Sequence, residues 1–141
     1  MILSAIEITR RRDEGDLVIR PYADESQQPA SYDLRAGNDY VLERGRCTLV
    51  HSLEWVELPA DVAATMRCRS SFGRQGVLLG GGFVDPGFRG QLTLCLVTMG
   101  DEDVLLFEGD RVVQLILHEV RDGVHLYEGR YQDSKGSVEA R

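Results

Sequence analysis

Arg69-Ser70-Ser71 and Arg74 put two hydroxyls and two guanidiniums within six residues, and Asp85 follows inside a second tight turn, in the run RSSFGRQGVLLGGGFVDPGFRG. Hydroxyls and several backbone N–H groups at the mouth of a helical turn favour phosphate oxygens, and Arg67 and Arg74 add charge. A reading without ligand stands beside this one: Ser70 or Ser71 caps a short helix and the arginines are surface groups. Gly80-Gly81-Gly82 permits close approach of a ligand to backbone, or simply makes a turn. Pro86 and Gly87 suit the central positions of a type II turn, so Asp85 is expected to open a tight hairpin. A carboxylate there can accept a proton from water, and Phe88 offers a flat apolar face to a sugar or base. Equally, Asp85 can start the turn through its own side chain while Phe88 packs in the core. Taken together, the run has the equipment to grip a polyphosphate and deliver a water to it.

The elements that must position these residues are mostly strands. Ser4 followed by Glu7 has capping-box spacing for a short N-terminal helix, with Ile6 expected on its packed face and Gly15 as its stop. Leu17-Val18-Ile19, Tyr40-Val41-Leu42, Cys47 to Val50 and Leu53 to Val56 are short apolar segments separated by Gly or charged residues. Gln91 to Val97 alternates, with Leu92, Leu94 and Leu96 on one face and Thr93, Cys95 and Val97 on the other. Val104 to Phe107, Val112 to Leu117 and Val124 to Tyr127 continue the series. Breaks at Gly100-Asp101, Gly109-Asp110 and Asp122-Gly123 recur at hairpin-like spacing, which favours an all-β barrel or jelly roll over a βαβ fold. From Gly129 to Arg141 the chain is polar, with Tyr131 and Val138 as its obvious anchors; alone it would fray.

Composition narrows the functional classes. A chain of 141 residues suits one domain, and no apolar run approaches the roughly 18–20 residues of a membrane helix. The opening MILSAIEITRRR carries charges where a signal peptide needs an apolar core, so a cytoplasmic protein with no membrane partner is expected. Cys47, Cys68 and Cys95 are odd in number and far apart, with no C-x-x-C pair and no H-x-E element, which argues against a disulfide framework, a structural zinc and a zinc-dependent deaminase. A net charge of −7 disfavours nucleic acid as a partner, although a local basic pocket can still hold a small anion.

Segments in the same order along nearly the whole chain resemble the dUTP diphosphatase (dUTPase) and dCTP deaminase superfamily. Met1 to Ser4, Gln28 to Gly37 (QPASYDLRAG), Arg69 to Arg74, Asp85 to Gly90 and the tail Arg130-Tyr131-Gln132 with Lys135-Gly136 are similar to the deaminase-like branch, while Gly109 to Leu115 (GDRVVQL) is closer to the fourth dUTPase motif. The resemblance implies a homotrimer of distorted β-barrel, jelly-roll-like subunits with active sites between subunits. It implies one dUTPase-like domain over 1–141, whose segment 129–141 closes over the active site. By the same resemblance Asp85 orients the attacking water. Arg69, Ser70, Ser71 and Arg74 match phosphate-clamp positions, and Gln114 matches a glutamine near the nucleotide. Gly82, Phe83 and Val84 belong to the segment that reads the base, and Phe88 sits where a ring packs on deoxyribose. Tyr127, Arg130 and Lys135 match the closing tail. Asp33 matches an aspartate held near the magnesium shell through water, which makes Mg2+ the expected cofactor.

One departure separates the two chemistries. Deaminases of this superfamily place a proton-shuttling glutamate ten residues after the turn aspartate; here that position is Cys95, and Ser134 replaces a tail glutamine near the base. A half-buried thiol is a poor substitute for a carboxylate that must shuttle protons. The parts needed for diphosphate release are all present. The expectation is therefore hydrolysis of dUTP to dUMP and diphosphate, the alternatives being dCTP deamination, alone or combined with hydrolysis, and a nucleotide-binding trimer without turnover.

Overall fold

A computed structural model describes residues 1–141. The chain opens with helix α1, Ala5–Glu14; the Ser4 hydroxyl accepts the Glu7 amide at 3.2 Å, and Gly15 closes the helix in the left-handed region at φ 84°. Ile6 is exposed rather than packed, and Ile8 and Arg11 are the buried residues. Two residues along a helix is a rotation of about 200°, so Ile6 cannot share the face that Ile8 occupies. Arg11 pins that face, donating to both Asp61 oxygens at 3.0 and 2.8 Å.

Ten strands follow: β1 (Val18–Arg20), β2 (Tyr32–Arg35), β3 (Tyr40–Leu42), β4 (Cys47–Glu57), β5 (Val62–Cys68), β6 (Val77–Gly80), β7 (Phe83–Val84), β8 (Arg89–Thr98), β9 (Val104–Leu106) and β10 (Arg111–Glu119), with the one-turn helix α2 (Ser70–Gly73) after β5. They form two four-stranded sheets, ordered β1-β4-β8-β6 and β2-β10-β5-β7, and a small β3-β9 pair. This is the all-β, jelly-roll-like architecture that the short apolar segments and the lone N-terminal helix imply. No helix is long and apolar enough to cross a membrane.

The alternation in β8 sends Leu92, Leu94 and Leu96 into the core, where they share one cluster with Val50 and Val56 of β4 and with Leu34, Leu115 and Leu117 of the other sheet. Cys47–Val50 and Leu53–Val56 are a single strand, not two, because a register shift against β8 between His51 and Trp55 absorbs the irregularity without breaking the ladder. Val124 to Tyr127 forms no strand. The β10–β5 ladder ends at Glu119, and the segment's backbone hydrogen bond runs from the Tyr127 amide to the Pro86 carbonyl at 2.7 Å.

One polar group links the two sheets inside the core. Glu54 of β4, with no exposed surface, accepts from the Tyr32 hydroxyl (3.1 Å), the Arg35 amide (2.9 Å) and the Arg35 Nε (2.8 Å), all three on β2 of the opposite sheet. Burial, then the Glu54 charge, pushes the Tyr32 hydroxyl up to about 12, so it remains a donor. Removing one partner of a buried pair strands the other, so Glu54→Ala is expected to lose about 3–5 kcal/mol in urea unfolding. A loss below about 1 kcal/mol, the worth of an exposed pair, contradicts this role.

Candidate functional site

The chain leaves β7 in one sheet and enters β8 in the other through Asp85-Pro86-Gly87-Phe88. The Phe88 amide donates to the Asp85 carbonyl at 3.2 Å and Gly87 sits at φ 85°, a conformation that glycine adopts freely. The tight turn is therefore present, but it is not a hairpin: β7 pairs with β5, and β8 with β4 and β6. Two further backbone bonds hold it, Gly87 amide to Leu58 carbonyl (2.9 Å) and Leu58 amide to Phe88 carbonyl (3.0 Å). Asp85 is exposed on this rigid corner, and its carboxylate makes no hydrogen bond within the chain.

A cavity of roughly 490 Å³ lies against the corner, and it brings together Gly82, Phe83, Val84, Asp85, Phe88 and Tyr127. Gly82 is at φ 114°, and a Cβ there would lie 3.1 Å from the Met66 carbonyl, so only glycine lets the segment run this close to β5. Phe88 is buried and meets Tyr127 edge to face at 5.8 Å, forming wall rather than a free platform; Phe83, 64% exposed, is the open aromatic face. Gln91, Thr93 and Cys95, the outward row of β8, complete the wall. Alternation in the sequence marks that row, but what covers it depends on the tail: the Gly136 amide donates to Gln91 Oε1 (2.6 Å) and the Val138 amide to Thr93 Oγ1 (3.0 Å). Burial first, and then Cys47, raises the Cys95 thiol above its ordinary range, so it stays protonated at neutral pH.

The remaining candidates gather elsewhere. Arg69 precedes α2; the hydroxyls of Ser70 and Ser71 are exposed, and no side-chain cap closes the helix. The Arg69 Nε lies 3.2 Å from Asp33 Oδ2 and its Nη1 donates to the Arg111 carbonyl at 3.2 Å, while Arg111 Nη1 stands 3.6 Å from the same carboxylate oxygen. Gln114 lies opposite Asp33 and Arg67 in the β2-β10-β5 register. A cavity of roughly 450 Å³ is lined by Asp33, Arg69, Ser70 and Gln114, and one of roughly 430 Å³ by Arg35, Arg69, Ser71 and Arg111. Arg35 and Arg111 had no role from the sequence; their position inside quoted motifs was the only signal. No residue lines both this region and the Asp85 cavity. Arg74 stands apart beside Asp101, Glu102 and Asp103, Arg130 donates to the Arg141 carbonyl, and Lys135 is exposed.

These residues do not form a metal cage. No group of three His, Cys, Asp or Glu side chains converges anywhere, and Asp33 faces two guanidiniums, which repel a cation.

Comparison with known proteins matches residues 37–120 to the family model described as dCTP deaminase-like. The chain belongs to the dCTP deaminase-like family. A dCTP deaminase of Thermococcus sibiricus is 36% identical over 136 residues, covering 85% of this chain and 87% of the relative. A dUMP-forming dCTP deaminase of Aquifex aeolicus is 32% identical over 170 residues, covering 100% and 94%. Among solved structures, the 2'-deoxycytidine 5'-triphosphate deaminase of Agrobacterium tumefaciens superposes with TM-score 0.73 at 22% identity, over 84% of this chain and 47% of that one. The EIAV dUTPase superposes with TM-score 0.64 at 21% identity, over 82% and 98%. The fold is that of the dUTPase and dCTP deaminase superfamily.

Burial lifts the Asp33 carboxyl above the ordinary 3.8, with Arg69 and then Arg111 pulling it back. A carboxyl harder to ionise in the folded state contributes stability that is complete below 3.8 and lost as pH rises through its folded value. An NMR titration is expected to place Asp33 above 3.8, and Asp33→Asn to remove that part of the pH dependence in urea unfolding; a value below 3.8 contradicts the burial argument.

Proposed function

We propose that this protein is a dUTP diphosphatase, hydrolysing dUTP, carried as its magnesium salt, to dUMP and diphosphate. The observation that carries this reading is the carboxylate inventory of the cavity: Asp85 is its only carboxylate, and Cys95, a protonated thiol, stands at the position where the resemblance expects the deaminase's shuttling glutamate. In the mechanism, the Asp85 carboxylate takes a proton from a water whose oxygen attacks the α-phosphorus. The bond from the α-phosphorus to the bridging oxygen breaks, and diphosphate leaves with its charge met by Arg69, Ser70, Ser71 and Gln114. The backbone from Gly82 to Phe88 presents a fixed pattern of donors and acceptors, which suits discrimination of uracil from cytosine at N3 and the exocyclic position. Because the clamp and the Asp85 cavity share no lining residue in one chain, the reading includes a homotrimer in which one copy's clamp serves a neighbour's cavity. The tail 129–141, laid along β8 through Gly136 and Val138, is the segment that closes over the nucleotide.

The names of the relatives favour a second reading, deamination of dCTP. Incubation of the purified protein with dUTP and with dCTP, each with magnesium, followed by separation of the products, distinguishes the two. The expected outcome is dUMP and diphosphate from dUTP with no ammonia from dCTP. Ammonia release restores the deaminase reading, and an inert protein that binds nucleotide is a non-enzymatic member of the family. Asp85→Asn is expected to lower kcat by at least about 100-fold while leaving nucleotide affinity in place. A variant hydrolysing dUTP at the wild-type rate excludes Asp85 as the base.

A further inference from the structure

The turn that carries Asp85 is held from outside by a residue of the tail. Strand β6 pairs with β8 only from Cys95 to Thr98, leaving the same edge of β8 open from Arg89 to Gln91. The tail fills that gap. The Asp133 amide donates to the Arg89 carbonyl and the Gln91 amide to the Ser134 carbonyl, each at 2.8 Å. The Asp133 carboxylate meets the Arg89 guanidinium through two bonds of 2.9 Å.

Gln132 does more than continue this pairing. Its Oε1 accepts the Arg89 amide at 2.7 Å, and its Nε2 donates to the Gly87 carbonyl at 2.9 Å and to the Tyr127 carbonyl at 3.3 Å. One planar amide therefore grips the backbone on both sides of Phe88, at the turn's last central residue and at the first residue of β8. The neighbouring Asp133 sits at φ 60°, a left-handed conformation unusual for a residue with a side chain, and this kink separates the Gln132 side-chain bonds from the backbone bonds that follow. The Asp85 carboxylate has no hydrogen bond of its own, so its direction rests on the turn beneath it.

We propose that Gln132 is a positioning residue, whose side-chain amide locks the Gly87 to Arg89 backbone so that Asp85 is aimed at its water. The proposal rests on the hydrolase reading. A base displaced by about 1 Å costs about 100-fold in rate, so Gln132→Ala is expected to lower kcat for dUTP by about 10- to 100-fold. Affinity for a non-hydrolysable dUTP analogue is expected to change by less than about threefold, because Gln132 acts through the turn and not on the nucleotide.

Hydrogen exchange without nucleotide supplies a second readout, independent of the reaction. Gln132→Ala is expected to speed exchange of the Arg89 amide by about tenfold or more, while Leu94 in the middle of β8 is unchanged. Gln132→Glu keeps the acceptor for Arg89 but not the donor to Gly87, so it is expected to keep the Arg89 amide protected and still lose turnover. Wild-type kcat in Gln132→Ala overturns the proposal, as does weakened analogue binding with kcat intact. Should the wild-type protein not hydrolyse dUTP, the hydrolase reading fails by itself; Arg89 exchange then decides the grip, and an unchanged rate in Gln132→Ala overturns it.

Discussion

The hydrogen bond from the Phe88 amide to the Asp85 carbonyl fixes the point at which the chain passes from one sheet to the other. Almost everything around the candidate site follows from that constraint. Closing so tight a corner needs a left-handed residue, which Gly87 provides, and the corner is then braced on one side by Leu58 and on the other by Tyr127. Phe88 is thereby driven into the core while Asp85 stays exposed. The outcome is a carboxylate in water on a backbone that cannot easily move, the arrangement a base needs if it is to cost little reorganisation when it acts.

Buried carboxylates elsewhere in the chain do a different job. Glu54 and Asp33 are both buried and both face guanidiniums, Glu54 holding Arg35 and Asp33 standing between Arg69 and Arg111. A chain with net charge −7 thus concentrates arginines at one end of a sheet by spending acidic residues inside rather than beside them. The end of the sheet that holds Arg35, Arg69 and Arg111 thereby carries a local cluster of guanidiniums on an otherwise acidic protein.

Much of the fold is legible in the sequence because short apolar segments between Gly and Asp breaks leave few alternatives to a β sandwich, and the alternation from Gln91 to Val97 carries the face and period of the leucine row of β8. Ile6 departs from the expected packed face because a 10-residue helix with two isoleucines two positions apart can bury only one of them, and it buries Ile8. The Val124 to Tyr127 segment carries strand-forming residues but joins the fold through a backbone bond from Tyr127 to Pro86, just beyond the end of β7, and whether such a run pairs as a strand is a property of topology. The turn at Asp85 was visible in Pro86-Gly87, yet whether it joined paired strands or opposite sheets depends on contacts far away in sequence. The roles of Gln132, Arg35 and Arg111 were invisible for the same reason: each is defined by a partner more than 15 residues distant, such as Gln132 with Gly87 and Arg35 with Glu54.

The most direct test is a crystal structure with a non-hydrolysable dUTP analogue and magnesium. The account predicts the uracil ring against the Gly82 to Phe88 backbone, a water between the Asp85 carboxylate and the α-phosphorus, and Arg69 of one copy on the phosphates. An analogue bound away from that turn, or seated there with Asp85 turned from the α-phosphorus, contradicts it.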